Sequence, residues 1–210
     1  MHTILKAWQG NPGKTPGPER GVCMKKGLGD AGELFPQSVF IIASYDENGV
    51  PNAMNAAWAG ECSRHEICFN IGSHKTTANI VKKGAFTVAP ANMANVVSAD
   101  YFGIATGNKV NKAEQSGLTF TKSEHVDAPV IEEYPLTMEC EVTDVQGDEN
   151  GARITGRIVN TLVDESILGE DGKVDFGKFQ PIVYDAAHMT YRVVGEEVGG
   201  AWKVGRALME

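Results

Sequence analysis

The pattern of apolar and polar positions along the chain predicts mainly strands, joined by a few short helices. Val39–Ile42 is an apolar run of strand length. Asp46-Glu47-Asn48-Gly49 follows, a turn sequence in which Asn-Gly suits positive φ. Pro51–Trp58 resumes the chain with small residues, Asn52, Ala53, Asn55, Ala56 and Ala57, and Glu66–Ile71 reads as a third strand. A strand so poor in bulk lets a large flat group lie against its backbone. Ser73–Thr77 then leads into a helix beginning at Ala78, which Gly84 stops.

Beyond Gly84, Ala85–Ala89 reads as a strand. Asn92–Phe102 reads as a helix that puts Met93, Val96, Val97 and Tyr101 into the core. Gly103–Gly107 is a break, and Asn108–Gln115 a second short helix ended by Gly117. Pro135–Gln146 alternates apolar and polar positions, as a half-buried strand does. Gly147–Gly151 turns it back into Ala152–Leu162, with Gly156 as a bulge. Phe176–Tyr184 and Met189–Val194 are further apolar stretches. Consecutive hairpins with short helices between them predict an antiparallel barrel, whose closure protects strand edges.

Met1–Glu33 breaks this pattern, with three prolines, seven glycines and no sustained periodicity. It reads as an N-terminal arm (1–33) ahead of one domain (34–210), with Ile4, Leu5 and Trp8 available to dock. Gly10–Thr15 lacks the spacing and the flanking strand and helix of a phosphate-binding P-loop.

Charge and composition exclude several functions. A net charge of -8 argues against nucleic-acid binding, which needs concentrated Lys and Arg. No apolar run reaches membrane-spanning length, and no secretory leader pattern opens the chain, so a cytoplasmic location is expected. Cys23, Cys62, Cys68 and Cys140 form no C-x-x-C and no zinc-finger spacing. Cys68 and Cys140 read as small buried hydrophobes, and packing is also the favoured role for Cys62, which sits nearer the candidate site. The acidic segment Asp164–Asp175 lacks calcium-loop spacing.

The candidate chemistry sits at the junction Ser73-His74-Lys75-Thr76-Thr77, just ahead of a helix. Hydroxyls, an imidazole and an ammonium there, with free backbone N–H groups and the helix dipole, suit a phosphate. An ordinary N-cap with a solvated Lys75 beside it fits the same residues.

The segment Tyr45–Trp58, the pairing of His65-Glu66-Ile67 with Ser73–Ile80, and the run Asp100–Gly107 followed by Lys112 resemble the flavin reductase-like family, flavoredoxins included. Val126–Pro129 and Pro181–Asp185 are similar to it as well. The resemblance spans about Phe35–Gly205 and implies an FMN-binding split β-barrel, mainly β with short helices, antiparallel and Greek-key-like. It implies noncovalent FMN, usually at a homodimer interface, with NAD(P)H or a redox protein as electron donor. Met54, Asn55, Ala56, Ala57 and Trp58 would lie along the flavin, Trp58 either shielding its edge or serving as a core aromatic. Lys75, Thr76, Thr77 and Asn79 would hold the phosphate, with Ser73 and His74 beside it and Lys112 adding charge. The sequence departs from the family at two places. Asn55 stands where many members have Thr or Ser, and Ala152, Arg153 and Arg157 occupy a hairpin where many carry His and Glu.

No catalytic acid or base stands out, as expected where a flavin carries the redox chemistry. The resemblance implies an FMN-dependent oxidoreductase passing reducing equivalents from NAD(P)H to flavin or another acceptor, or a flavoredoxin-type electron carrier.

Overall fold

The computed structural model describes residues 25–32 and 34–209. The chain divides into two units, Met1–Gly32 and Glu33–Glu210. The expectations about Ile4, Leu5, Trp8, Gly10–Thr15 and Cys23 lie outside the described residues. In the first unit, residues 25–32 carry no helix or strand and bend at Gly29–Asp30.

The second unit is built on strands β1 (Gln37–Ser38), β2 (Phe40–Tyr45), β3 (Pro51–Ala56), β4 (Ala59–Ser63) and β5 (Glu66–Gly72), followed by helix α1 (Lys75–Lys83) and β6 (Ala85–Pro90). Helices α2 (Val96–Ile104) and α3 (Lys112–Ser116) come next, then the short pair β7 (Phe120–Lys122) and β8 (Pro129–Ile131). A long hairpin, β9 (Leu136–Asp148) with β10 (Gly151–Val163), precedes α4 (Phe176–Phe179), β11 (Ile182–Asp185) and β12 (Thr190–Val193).

Seven strands form one antiparallel sheet in the order β3-β2-β6-β9-β10-β5-β4. β3 and β4 are consecutive in the chain yet end the ladder at opposite edges. No hydrogen-bonded ladder joins them, so the barrel is split rather than closed. That gap is the split the family resemblance implies, where the succession of hairpins alone predicts closure. β1, β11 and β12 form a separate three-stranded sheet.

β2 explains why an uninterrupted apolar run belongs here. Its alternate side chains feed two different cores. Phe40 and Ile42 join Phe69, Phe86, Ile67 and Ile154 inside the barrel. Ile41 and Ala43, with Val39 just before the strand, belong to the other core with Ala99 and Phe102 of α2 and Tyr134. A strand buried on both faces has no use for polar alternation. Inside the barrel, Phe69 and Phe86 meet edge to face with centroids 5.0 Å apart.

Gly156 is the expected bulge, at a register shift between β9 and β10. A Cβ there would stand 2.3 Å from Cζ of Phe86, so the bulge makes room for the ring. Gly84 ends α1 at φ 69°, in the left-handed region, and its N–H donates to the Ile80 carbonyl.

Three expectations change. Ala59–Ser63 is a strand in its own right, although its sequence lacks the β-branched residues that signal one. The helix after β6 is phased differently from its pattern, with Val97 80% exposed and Met93 also exposed, while Ala99 and Phe102 are buried. The reason is local: Asn92 caps a 3-10 turn, Met93–Asn95, by accepting from Asn95 N–H. That tighter winding rotates the faces before α2 begins. Cys62, assigned to packing, is exposed on β4, while Cys140 is fully buried and Cys68 half-buried beside Arg153 Nε at 3.2 Å. Burial pushes the Cys140 thiol up to about 12.

The aspartates of the acidic segment act locally. Asp164 accepts from Ser166 N–H, and Asp175 caps α4 through Gly177 and Lys178 N–H. Among the described residues no helix is long and apolar enough to cross a membrane.

Candidate functional site

Three segments converge on one cleft: β3, the start of α1, and the stretch from the end of α2 to α3. Its inner part is a cavity of 190 Å³ bounded by Asn52, Met54, Asn55, His74, Thr76 and the loop Phe102–Gly107. A second hollow of 240 Å³ continues it along Val50–Asn52 and residues 107–112. Lys75 and Lys112 border both.

α1 opens without a side-chain cap. His74 occupies the N-cap position in extended conformation, and its side chain makes no capping bond. The first-turn N–H groups are therefore free of the partner that usually satisfies them. An anion is the natural substitute. The reading of this junction as an ordinary side-chain cap does not hold.

The two threonines differ in what they can offer. Thr77 Oγ1 donates to the Gly72 carbonyl at 2.6 Å, which commits its proton to the chain. Thr76 Oγ1 instead accepts from Asn52 Nδ2 at 2.7 Å, leaving its own proton free for a ligand oxygen. Both are buried, and only Thr76 borders the cleft.

The cations also differ. Lys75 is not solvated freely: its Nζ lies 3.0 Å from Oδ2 of Asp46, in the β2–β3 turn. Lys112 is only 4% exposed, and its Nζ donates to the Phe102 carbonyl at 2.9 Å. Among the described residues no carboxylate pairs with it. Burial without an opposite charge pushes its ammonium down to about 8. An anion arriving in the cleft would supply the missing counter-charge.

Not all expected residues reach the cleft. Asn79 is buried and donates to Ser44 Oγ at 3.2 Å, inside the body. Ala56 belongs to the barrel core, and Met54 both packs there and borders the cavity. Asn55 donates to the Ala99 carbonyl at 3.0 Å, tying β3 to α2. Ala57 is half-buried, Ser73 is exposed, and neither borders the cavity. Trp58 is 53% exposed, so it is not a core aromatic.

Sequence reasoning missed Asn52 and Asp46 as site residues. It also passed over the fit of Gly107, where a Cβ would stand 2.2 Å from Asn52 Oδ1. The Asp100–Gly107 stretch was the available signal for the loop. Nothing local announced that Asn52 reaches Thr76, because the two meet only in the fold.

The uncapped helix, the free Thr76 proton and the uncompensated Lys112 bring groups that can attract an anion to one cleft of a split barrel. The family model of the flavin reductase like domain matches residues 32–191, and the chain belongs to that family. Its structure is similar to the flavoredoxin of Desulfovibrio vulgaris (Miyazaki F), with a TM-score of 0.81 and 35% identity over 87% of this chain and 100% of that one. A flavoredoxin from Methanosarcina acetivorans also has a TM-score of 0.81, with 25% identity over 89% of this chain and 100% of that one. An FMN-binding protein from Thermus thermophilus shares the fold at a TM-score of 0.69, with 18% identity over 84% of this chain and 97% of that one.

Proposed function

We propose that the chain binds FMN, with the phosphate seated at the start of α1, and that it passes reducing equivalents from NAD(P)H to flavin or another acceptor. The observation that carries the reading is the convergence of a side-chain-uncapped helix N-terminus and the buried Lys112 on one cleft. The residues fit the group. Backbone N–H groups of the first turn, the Thr76 hydroxyl and the Lys112 ammonium are donors matched to a phosphate. The hollows of 190 and 240 Å³ are each smaller than the pocket a drug-sized ligand usually occupies. They suit the phosphate end, leaving a tricyclic ring to lie further out along β3. When bound, the flavin supplies the hydride and electron chemistry. The chain's own residues hold the phosphate, neutralise its charge and fix the ring's position.

A homodimer is part of this reading. Ile104, at the mouth of the cavity, is 78% exposed, and Val97 on the same helix is more so. A second copy lying over α2 would bury both and cover the outer part of the cleft.

A second reading is favoured by the likeness to the Desulfovibrio flavoredoxin. In it the chain is an electron carrier that exchanges electrons with a redox partner and has no NAD(P)H turnover of its own. Anaerobic absorption spectra of the FMN-loaded protein separate the two. Rapid bleaching by NADH or NADPH identifies a reductase. Bleaching only by dithionite or a reduced redox protein identifies a carrier.

The seat itself is tested with Lys75→Ala combined with Thr76→Ala. This variant should weaken FMN at least tenfold more than riboflavin, which lacks the phosphate. Equal losses for both ligands would place the phosphate elsewhere.

A further inference from the structure

The two carboxylate oxygens of Asp46 have separate partners. Oδ1 builds the β2–β3 turn, accepting from Asn48 N–H at 3.0 Å and Val50 N–H at 2.9 Å. Oδ2 faces Lys75 Nζ at 3.0 Å. Burial alone would raise the Asp46 carboxyl, but the bonds from Val50, Lys75 and Asn48 outweigh it and hold it below the usual carboxylate range. At neutral pH Asp46 is therefore charged, and its carboxylate already neutralises Lys75. A phosphate arriving there competes with Asp46 for the ammonium and feels its negative charge.

We infer that Asp46 is a specificity-determining residue that holds down the affinity of the cleft for phosphate-bearing flavin relative to flavin without phosphate. The inference rests on the reading of the cleft as a phosphate seat. Asp46 makes the seat reversible, because part of the attraction that Lys75 would give a phosphate is spent on the carboxylate. An uncharged ligand such as riboflavin has no such competition to overcome. A doubly charged phosphomonoester meets it in full, since Coulomb repulsion scales with the ligand's charge.

The division of labour between the oxygens supplies a clean test. In Asp46→Asn the amide oxygen can keep both turn bonds, while the amide nitrogen turns toward Lys75 and releases it. Asp46→Ser is the second variant, since a hydroxyl can also close this turn without charge. Dissociation constants for FMN and riboflavin would be measured by flavin fluorescence on flavin-stripped protein, together with melting temperatures to establish that each variant is folded. Either folded variant should bind FMN about tenfold more tightly and leave riboflavin within about twofold.

Lys75→Met tells the two readings apart, because it should lower the preference for FMN over riboflavin. If Lys75→Met lowers that preference while the Asp46 variants leave it unchanged, the seat stands and the inference falls. If the Asp46 variants weaken FMN, Asp46 positions Lys75 rather than competing with the ligand, and the inference falls again. If neither Lys75→Met nor the Asp46 variants move the preference, the phosphate seat itself is misplaced.

Discussion

The Asn52–Gly107 approach allows a prediction that needs no ligand. Gly107→Ala would place a methyl group 2.2 Å from Asn52 Oδ1 and 3.0 Å from its Cγ. Asn52 is only 3% exposed and borders the cleft. To clear the methyl its amide must turn away from Thr76, and that breaks a 2.7 Å bond between buried partners. Leaving a buried amide unsatisfied costs about 1–3 kcal/mol. Asn52→Ala alone removes the same bond together with the displaced group, and should cost about 1–2 kcal/mol. In an Asn52→Ala background the new methyl finds the amide gone, so Gly107→Ala should then add less than about 0.5 kcal/mol. Urea denaturation of the wild type, both single variants and the double variant measures the cycle. The expected interaction energy is about 1 kcal/mol or more, with the double variant more stable than the sum of the singles implies. Additivity to within about 0.5 kcal/mol would refute the claim that Gly107 is glycine to spare Asn52.

Two further outcomes follow from features elsewhere. Lys112 sits near pH 8, below the ordinary Lys value, so the native chain binds fewer protons than the unfolded one between about pH 8 and 10.4. The ligand-free protein therefore gains stability from this group as pH rises through that window. FMN binding favours the charged form, so its affinity should fall several-fold from pH 7 to 9 while riboflavin stays flat; Lys112→Met should abolish the FMN slope, and a flat wild-type profile would remove Lys112 from the seat. Gly156→Ala forces a methyl against the rigid, fully buried Phe86 ring and should cost about 2–3 kcal/mol, read as a lower denaturation midpoint; a change below about 0.5 kcal/mol would show that the β10 bulge has slack.

Much of this arrangement was written locally. The run through β2 and the stop at Gly84 each depend on near neighbours and are read directly from the chain, whereas β9 buries Thr137, Met138, Glu139 and Cys140 in succession instead of alternating. What the sequence hid depends on partners far along the chain. Asn52 and Thr76 are 24 positions apart, and Lys112 is buried by a fold that local polarity argues against. Asn79 has the same type and setting as a ligand-binding residue, yet its partner is Ser44, 35 positions back. The phase of α2 was lost to a single capping Asn92. The largest omission was Glu139, 1% exposed at the centre of a network. It accepts from Ser123 Oγ at 2.5 Å and Asn160 Nδ2 at 2.6 Å, with His125 Nδ1 at 2.9 Å. In the alternation of β9 it is just another polar position.

The order of the strands also bears on how the chain assembles. Residues 46–112 contain every side chain named in the cleft; a short turn joins β2 to β3, and only β4 and β5 separate β3 from α1. The rest of the barrel depends on pairings of much longer reach, such as Arg157 of β10 against Glu66 of β5. Closing so long a loop costs chain entropy before any contact repays it, and such pairings form slowly. The half that forms the cleft can therefore gather early, while the far wall of the barrel waits for the β9–β10 hairpin to arrive. Substitutions at the β5–β10 seam should slow folding if that pairing forms in the transition state, and speed unfolding if it forms afterwards.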